Sequence, residues 1–228
     1  MQKPQKREIL ITGDGSATIH LPDWNEQYHS KHGAIQEAKH VFIKHGFHYS
    51  TKRNTNTPLS ILEIGFGTGL NAFITYLEAN NNAVPIQYTG VEAYPVALKE
   101  IQQLHYAKQL DVAGEAASFL AMHDAPWESP TSIGDNFSLT KRKQFFKDIA
   151  DEHCYDLIYF DAFGARVQPE LWTVAIFKKM YIALKTQGVL VTYAAKGSVR
   201  RAMEEVGFTV ERLPGPPGKR EMLRALKP

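Results

Sequence analysis

The sequence is short of three things. It has one cysteine, Cys154, in 228 residues. A lone cysteine excludes an internal disulfide and predicts a reduced, cytoplasmic setting. It has no apolar run near the roughly 18 residues a membrane-spanning helix requires. Its first residues, MQKPQKREIL, are basic and lack an apolar signal segment, so the expectation is a protein with no membrane partner. It also lacks charge of one sign: the formal net charge is +2, which neither demands nor excludes a nucleic-acid partner. The basic residues do gather, at Lys141, Arg142 and Lys143 and again at Arg200, Arg201, Lys219, Arg220 and Arg224. Such runs alone read as solvated faces.

Metal-ligand spacing is poor too. His29-x-x-His32 and His45-x-x-His48 occur, and Cys154 follows His153. No CxxC is present and no acid accompanies the histidines as in a zinc protease, so no metal site is predicted. What is there is ordinary globular material, 43% hydrophobic and 22% charged, without repeats or low-complexity tracts. That composition predicts a single domain over 1–228 with a substantial core, in which 1–58 form an N-terminal extension contributing to the pocket.

From residue 60 strand and helix patterns alternate. Apolar runs predict strands at Ser60–Phe66, Ile86–Ala93, Tyr155–Ala162 and Gly188–Ala195. Helical spacing predicts Leu70–Glu78, a helix opened by Pro95 with Ala97, Ile101 and Leu104, and a helix opened by Pro169. In the last, Trp172, Ile176, Met180 and Leu184 form one stripe. A helix over Ser198–Val206 should end at Gly207. Phe208–Leu213 and Arg220–Leu226, joined by PGPPGK, should pair antiparallel at one sheet edge. His48–Pro58, HYSTKRNTNTP, reads as a polar linker. Ser118–Lys147 is the least patterned stretch, with a hairpin turn suggested at Gly134-Asp135. The fold class expected is α/β and Rossmann-like, a mostly parallel sheet with an antiparallel C-terminal edge and helices on both faces.

The densest signal is SILEIGFGTGLNAF, with Gly65, Gly67 and Gly69 on alternate positions after a buried strand. Glycines at the first strand-to-helix turn of such a sheet permit positive φ and close approach of a ligand. The dinucleotide pattern G-x-G-x-x-G fails, because its third glycine would fall on Leu70. The phosphate loop fails for want of a following Lys, and the nucleophile elbow for want of a central Ser. What remains is E-x-G-x-G-x-G from Glu63, the pattern of S-adenosylmethionine-dependent methyltransferases. That ligand has no pyrophosphate, so no lysine is required. Glu92, ending the second strand in TGVEAYP, stands where an acid would accept both ribose hydroxyls. Glu63 would face the methionine amino group, directly or through water. The cofactor contacts expected are Glu63, Gly65, Phe66, Gly67, Thr68, Gly69, Asn71, Glu92 and Ala93.

A second acid, Asp161, ends the strand in YDLIYFDAFGARVQPELW. A carboxylate there, beside the first strand, can accept a proton from an amine, orient the amine, or stabilise positive charge on nitrogen. An aliphatic amine is mostly protonated at neutral pH, whereas methyl transfer needs its lone pair. Phe163 and Trp172 are candidates to stack on a base. Phe163, in the loop, is preferred, because the helical stripe turns Trp172 to the core.

Four stretches together resemble the methyltransferase domain of the MnmC-type tRNA 5-methylaminomethyl-2-thiouridine biosynthesis family, in its stand-alone form. YHSKHGAIQEAKHVFI is similar to the family's N-terminal segment at Tyr28, Ser30, Glu37, Val41 and Phe42, with His29 replacing an aromatic and the glycine shifted to Gly33. IGFGTGLNAF matches almost letter for letter, including Asn71. FDAFGARVQPELW matches at Asp161, Phe163, Pro169 and Trp172, with Ala165 where proline is usual. GPPGKREML matches from Gly218 to Leu223, with Pro217 replacing a glycine.

The resemblance implies S-adenosyl-L-methionine-dependent methylation of the amine of 5-aminomethyl-2-thiouridine at the tRNA wobble position. It implies Asp161 as catalytic and Tyr28, Ser30, Glu37, Phe163, Lys219 and Arg220 as substrate contacts, with Lys219, Arg220 and Arg200 as a basic rim. The expected partner is the tRNA anticodon loop. The chain reads as lacking the flavin oxidase domain of bifunctional relatives, so a separate oxidase partner would supply the aminomethyl group. Two other readings stand beside it: a methyltransferase of the same fold acting on a small-molecule amine, and a non-catalytic binding module.

Overall fold

The computed structural model describes residues 6–53 and 58–228. The N-terminal part is a small antiparallel sheet of β1 (Glu8–Ile11), β2 (Ala17–Leu21) and β3 (Glu26–Gln27). It leads into α1 (Ala34–Ala38), a π-helical stretch Lys39–Phe47, and α2 (His48–Arg53). Residues 48–53 are therefore helical and not linker. Val41, Phe42, Ile43 and Phe47 are buried, and this packing holds the chain helical up to Arg53. The rest of the expected linker, 54–57, and the first five residues of MQKPQKREIL lie outside the described residues.

The main sheet has eight strands. β4 (Leu59–Ile64) is followed by α3 (Leu70–Asn82), and β5 (Ile86–Val91) by α4 (Leu98–Ile101), α5 (Tyr106–Gln109) and α6 (Ala116–Asp124). β6 (Pro130–Ser132) and β7 (Phe137–Arg142) form the hairpin suggested at Gly134-Asp135. β8 (Tyr155–Phe160), α7 (Val174–Ala183), β9 (Leu184–Thr192), α8 (Gly197–Glu205), β10 (Thr209–Pro214) and β11 (Glu221–Leu226) complete it. The order is β10-β11-β9-β8-β4-β5-β7-β6. Strands β9, β8, β4, β5 and β7 are parallel, and both flanks are antiparallel. Every residue of β4 and of β8 is buried, as central strands covered on both faces require. The expected α/β class holds. Among the described residues no helix is long and apolar enough to cross a membrane.

Several local expectations are corrected. Pro95 does not open a helix. Ala97 is extended, and Glu100 Oε2 accepts its N–H at 3.1 Å, so the first turn starts at Leu98. The helix expected from Pro169 is two pieces, a 3-10 turn Pro169–Trp172 and then α7. Between them Thr173 is extended (φ −97°, ψ 160°), and its carbonyl accepts the Phe177 N–H at 3.1 Å to start the second piece. The last two strands do pair antiparallel at one sheet edge as expected, with β10 outermost and β11, which carries KREML, between β10 and β9. Lys141 does not sit on a solvated face: it is 1% exposed, donates to the His123 carbonyl, and lies 4.8 Å from the Trp127 ring centre. Its alternation with Phe137 and Leu139 turns it inward. Its neighbour Arg142 is paired with Asp151 at 2.8 Å.

Candidate active site

The order of the parallel strands reverses at β4, which has β5 on one side and β8 on the other. Ligands of open α/β sheets bind beyond the carboxyl ends of the strands at such a point. A cleft of about 740 Å³ opens there. Its floor comes from three strand ends: Gly65 and Gly67 after β4, Glu92 and Ala93 after β5, and Asp161 and Phe163 after β8. The two ends of the chain supply further walls, with Tyr28, Ser30 and Glu37 from one and Lys219 from the other.

The glycine loop is shaped by its neighbours. Gly65 and Gly67 have φ of +91° and +51°, where a side chain is strained. A Cβ on Gly65 would meet the Asp161 carbonyl oxygen at 2.7 Å, and one on Gly67 would meet Tyr28 Cδ1 at 2.9 Å. The N–H groups of Gly65 and Phe66 both donate to the Val91 carbonyl at 3.0 Å, tying the loop to β5. Glu92 is held in turn, accepting from Gly67 N–H at 3.1 Å and from Tyr94 N–H at 2.9 Å. Burial pushes its carboxyl above the ordinary range.

Of the cofactor contacts expected, Gly65, Gly67, Asn71, Glu92 and Ala93 line the cleft, whereas Glu63, Phe66, Thr68 and Gly69 do not. Glu63 is 1% exposed and cannot face a ligand directly. Asn71 Nδ2 donates to it at 2.9 Å and the Tyr88 hydroxyl at 2.8 Å, so Asn71 lies on its route to the cleft. Phe66 packs on the His123 ring. The buried Thr68 hydroxyl accepts from Tyr106 at 3.2 Å, and Gly69 turns the chain into α3. These residues support the loop from behind.

Asp161 lies between Asn71, Glu37 and Lys219. Asn71 Nδ2 donates to its Oδ2 at 2.8 Å, while Oδ1 accepts no hydrogen bond from the described residues. Burial, reinforced by the Glu37 charge, pushes the Asp161 carboxyl up to about 7, against smaller opposing effects of Asn71 and Lys219. A carboxyl that titrates near neutrality can exchange a proton with an amine.

Glu37 is 6% exposed, accepts the Ser30 N–H at 2.7 Å, and takes the Lys219 ammonium on its other oxygen. Lys219 also lies 3.9 Å from the Tyr193 ring centre. It is thus a cleft residue and not part of an outer rim. Arg220 is exposed and does not line the cleft, and Arg200 is paired with Glu204 on α8. Phe163 meets Tyr28 edge-on at 5.0 Å and Trp24 at 5.7 Å. Trp172 is 6% exposed and donates its indole N–H to the Phe163 carbonyl at 2.8 Å, holding that loop from the core.

Trp24, His29, Tyr94, Phe145, Lys147 and Tyr193 also line the cleft and were not expected. Tyr193 had a readable signal, since it follows β9 as Asp161 follows β8. His29 is held by Thr18 at 3.0 Å, and burial lowers its pKa to about 4, so it is neutral at physiological pH. Among the described residues no group of His, Cys, Asp and Glu could hold a metal ion.

Residues 134–228 match the model of a family described as S-adenosyl-L-methionine-dependent methyltransferase. The tRNA 5-methylaminomethyl-2-thiouridine biosynthesis bifunctional protein MnmC of Leptospira borgpetersenii is 29% identical over 219 residues, covering 88% of this chain and 32% of that protein. Its namesake in Leptospira interrogans is 28% identical, covering 94% of this chain and 34% of that protein. The chain thus spans about a third of the length of these relatives. Among solved structures, MNMC2 from Aquifex aeolicus superimposes with a TM-score of 0.72 at 23% identity, over 98% of this chain and 71% of that one. Spermidine synthase from Thermotoga maritima gives 0.59 at 14% identity, over all of this chain and 70% of that one. These similarities agree with the class I methyltransferase fold, the enzyme class and the S-adenosyl-L-methionine cofactor read from the sequence.

Proposed function

We propose that this chain, a homologue of the methyltransferase part of the MnmC-type proteins, methylates the amine of 5-aminomethyl-2-thiouridine at the tRNA wobble position. The observation that carries this reading is the half-buried Asp161 carboxyl at the centre of the cleft, with one oxygen held by Asn71 and the other without a described partner. The product would be 5-methylaminomethyl-2-thiouridine.

S-adenosyl-L-methionine, when bound, supplies an electrophilic methyl group. The residues present fit it: bare main chain at Gly65 and Gly67, and an acid at the end of β5 whose oxygens each keep a lone pair beyond the amide they accept. Gly65, Gly67, Glu92 and Ala93 are assigned to hold it. Asp161 Oδ1 accepts an N–H of the acceptor ammonium and takes its proton, leaving the nitrogen lone pair free. A carboxyl titrating near 7 does this at physiological pH without holding the proton too strongly. Phe163, Tyr28 and Trp24 form an aromatic wall against which an unstacked uridine can lie. Glu37 and Ser30 also line the cleft, and the exposed Arg220 outside it is assigned with the exposed Lys147 of its lining to the phosphate backbone. The whole of 1–228 is assigned to one methyltransferase domain, with 1–58 completing its pocket.

We assign the enzyme, with its tRNA, to the cytoplasm. It needs an aminomethyl group already made, and we assign that supply to an oxidase activity outside these residues. The test is methylation of tRNA from cells lacking this gene, followed by nucleoside mass spectrometry. Aminomethyl-thiouridine should accumulate in the deletion and gain one methyl group on incubation with the protein and S-adenosyl-L-methionine. Unchanged wobble uridine in the deletion strain overturns the reading.

A further inference from the structure

The sequence pattern gives Glu63 to the cofactor, but its surroundings point elsewhere. The single amide nitrogen of Asn71 donates one hydrogen to Asp161 Oδ2 at 2.8 Å and the other to Glu63 Oε1 at 2.9 Å. The Tyr88 hydroxyl then donates to Glu63 Oε2 at 2.8 Å. Glu63 and Tyr88 are each 1% exposed, and neither lines the cleft. The main chain of Asn71 is fixed as well, because Thr75 Oγ1 donates to its carbonyl at 2.7 Å. Asn71 Oδ1 is buried and has no partner. The two acceptors on its nitrogen therefore set the orientation of the amide, since turning it over would bring its oxygen against two carboxyl oxygens.

We infer that Asn71 is a positioning residue that aims the Asp161 carboxylate at the acceptor amine, and that the buried Glu63–Tyr88 pair anchors Asn71 and does not serve the cofactor. This rests on the reading of Asp161 as the acceptor's partner. With Oδ2 held, Asp161 cannot rotate freely, and Oδ1 is the oxygen left for the amine. The Asn71 hydrogen bond also favours the ionised form, which is the form that takes a proton. The other charged or titratable groups around Asp161 are Glu37 on α1, Lys219 in the loop before β11, Tyr193 after β9, Glu63 on β4 and Tyr88 on β5. Glu37 and Lys219 are paired and act on Asp161 in opposite directions.

Two variants test it. Asn71→Ala should bind S-adenosyl-L-methionine within about threefold of the parent, yet transfer methyl at least about tenfold more slowly at pH 7 and regain part of the loss at higher pH. Its Asp161 should titrate at higher pH than in the parent, read by carboxyl 13C NMR. Glu63→Gln keeps an acceptor for Asn71 and a partner for the Tyr88 hydroxyl, so it should leave cofactor affinity within about twofold. A tenfold loss of cofactor affinity in Glu63→Gln would return Glu63 to the cofactor's amino group and overturn the inference. An unmoved Asp161 titration in Asn71→Ala would overturn it as well. The NMR measurement needs no acceptor, so a failure to methylate tRNA would sink the proposed function without touching this result.

Discussion

Asp161→Asn should make the protein more stable and inactive together. In the fold the Asp161 carboxyl is held at about 7, whereas its ordinary value is 3.8. The sign follows from the raised pKa: the stability associated with the protonated acid is complete below the unfolded value. It is lost as pH rises from about 4 through about 7, because the unfolded chain ionises first. Unscreened, that interval corresponds to about 4 kcal/mol. Asp161 is partly open to the cleft, so solvent reduces this to roughly 1–2 kcal/mol. An asparagine keeps an oxygen for the Asn71 amide and removes the charge facing Glu37. For a domain of this size the gain is a rise in Tm of about 3–6 °C at pH 8, shrinking toward zero as the pH approaches 4. Calorimetry across that range, alongside methyl transfer, reads both halves. Turnover should fall by about 100-fold or more while cofactor affinity persists. A Tm that falls at pH 8, or a gain of equal size at pH 4, would refute the claim that the fold holds this carboxyl under strain for function.

Two further substitutions separate the halves of the cleft. Gly67→Val places a branched side chain at φ +51° and against the Tyr28 ring, so titration calorimetry should show cofactor binding abolished in a variant that still folds by circular dichroism. Phe163→Ala removes the ring facing Tyr28 and Trp24. It should raise the KM for tRNA by about tenfold, the loss of roughly one base-stacking contact, with cofactor affinity unchanged.

How legible these features were depended on whether their cause was local. LSILEI and YDLIYF read as buried strands because they are covered on both faces and so carry no polar alternation. Glu92 and Asp161 were readable from those strands, since a strand end in a parallel sheet has a known place. FSLTKR carried its own signal at period two, and reading Lys141, Arg142 and Lys143 as one cluster hid it. The π-helical stretch was not readable. Its buried Val41, Phe42, Ile43 and Phe47 follow no simple helical stripe, and Gly46 is small because Val191 and Tyr159 press against it. The surroundings of Glu63 were hidden for a related reason: the pattern names the residue but says nothing of the Asn71 amide that links it to Asp161.

The division between legible and illegible follows the two halves of the chemistry. The half assigned above to the cofactor is built from consecutive strand–loop units at the sheet's switch point, so short motifs suffice to find it. The half assigned to the acceptor is built by closure of the chain on itself. Glu37 and Lys219 are 182 positions apart, and their ion pair joins the first helix to the last loop over the Tyr193 ring. Arg166 fastens the loop after β8 to the N-terminal segment through Glu26 at 3.0 Å, which brings Phe163 against Trp24 and Tyr28. None of these contacts lies within a single motif. The environment of Asp161 therefore exists only once the domain is closed, and its raised pKa is a property of that closure and not of the strand that carries it.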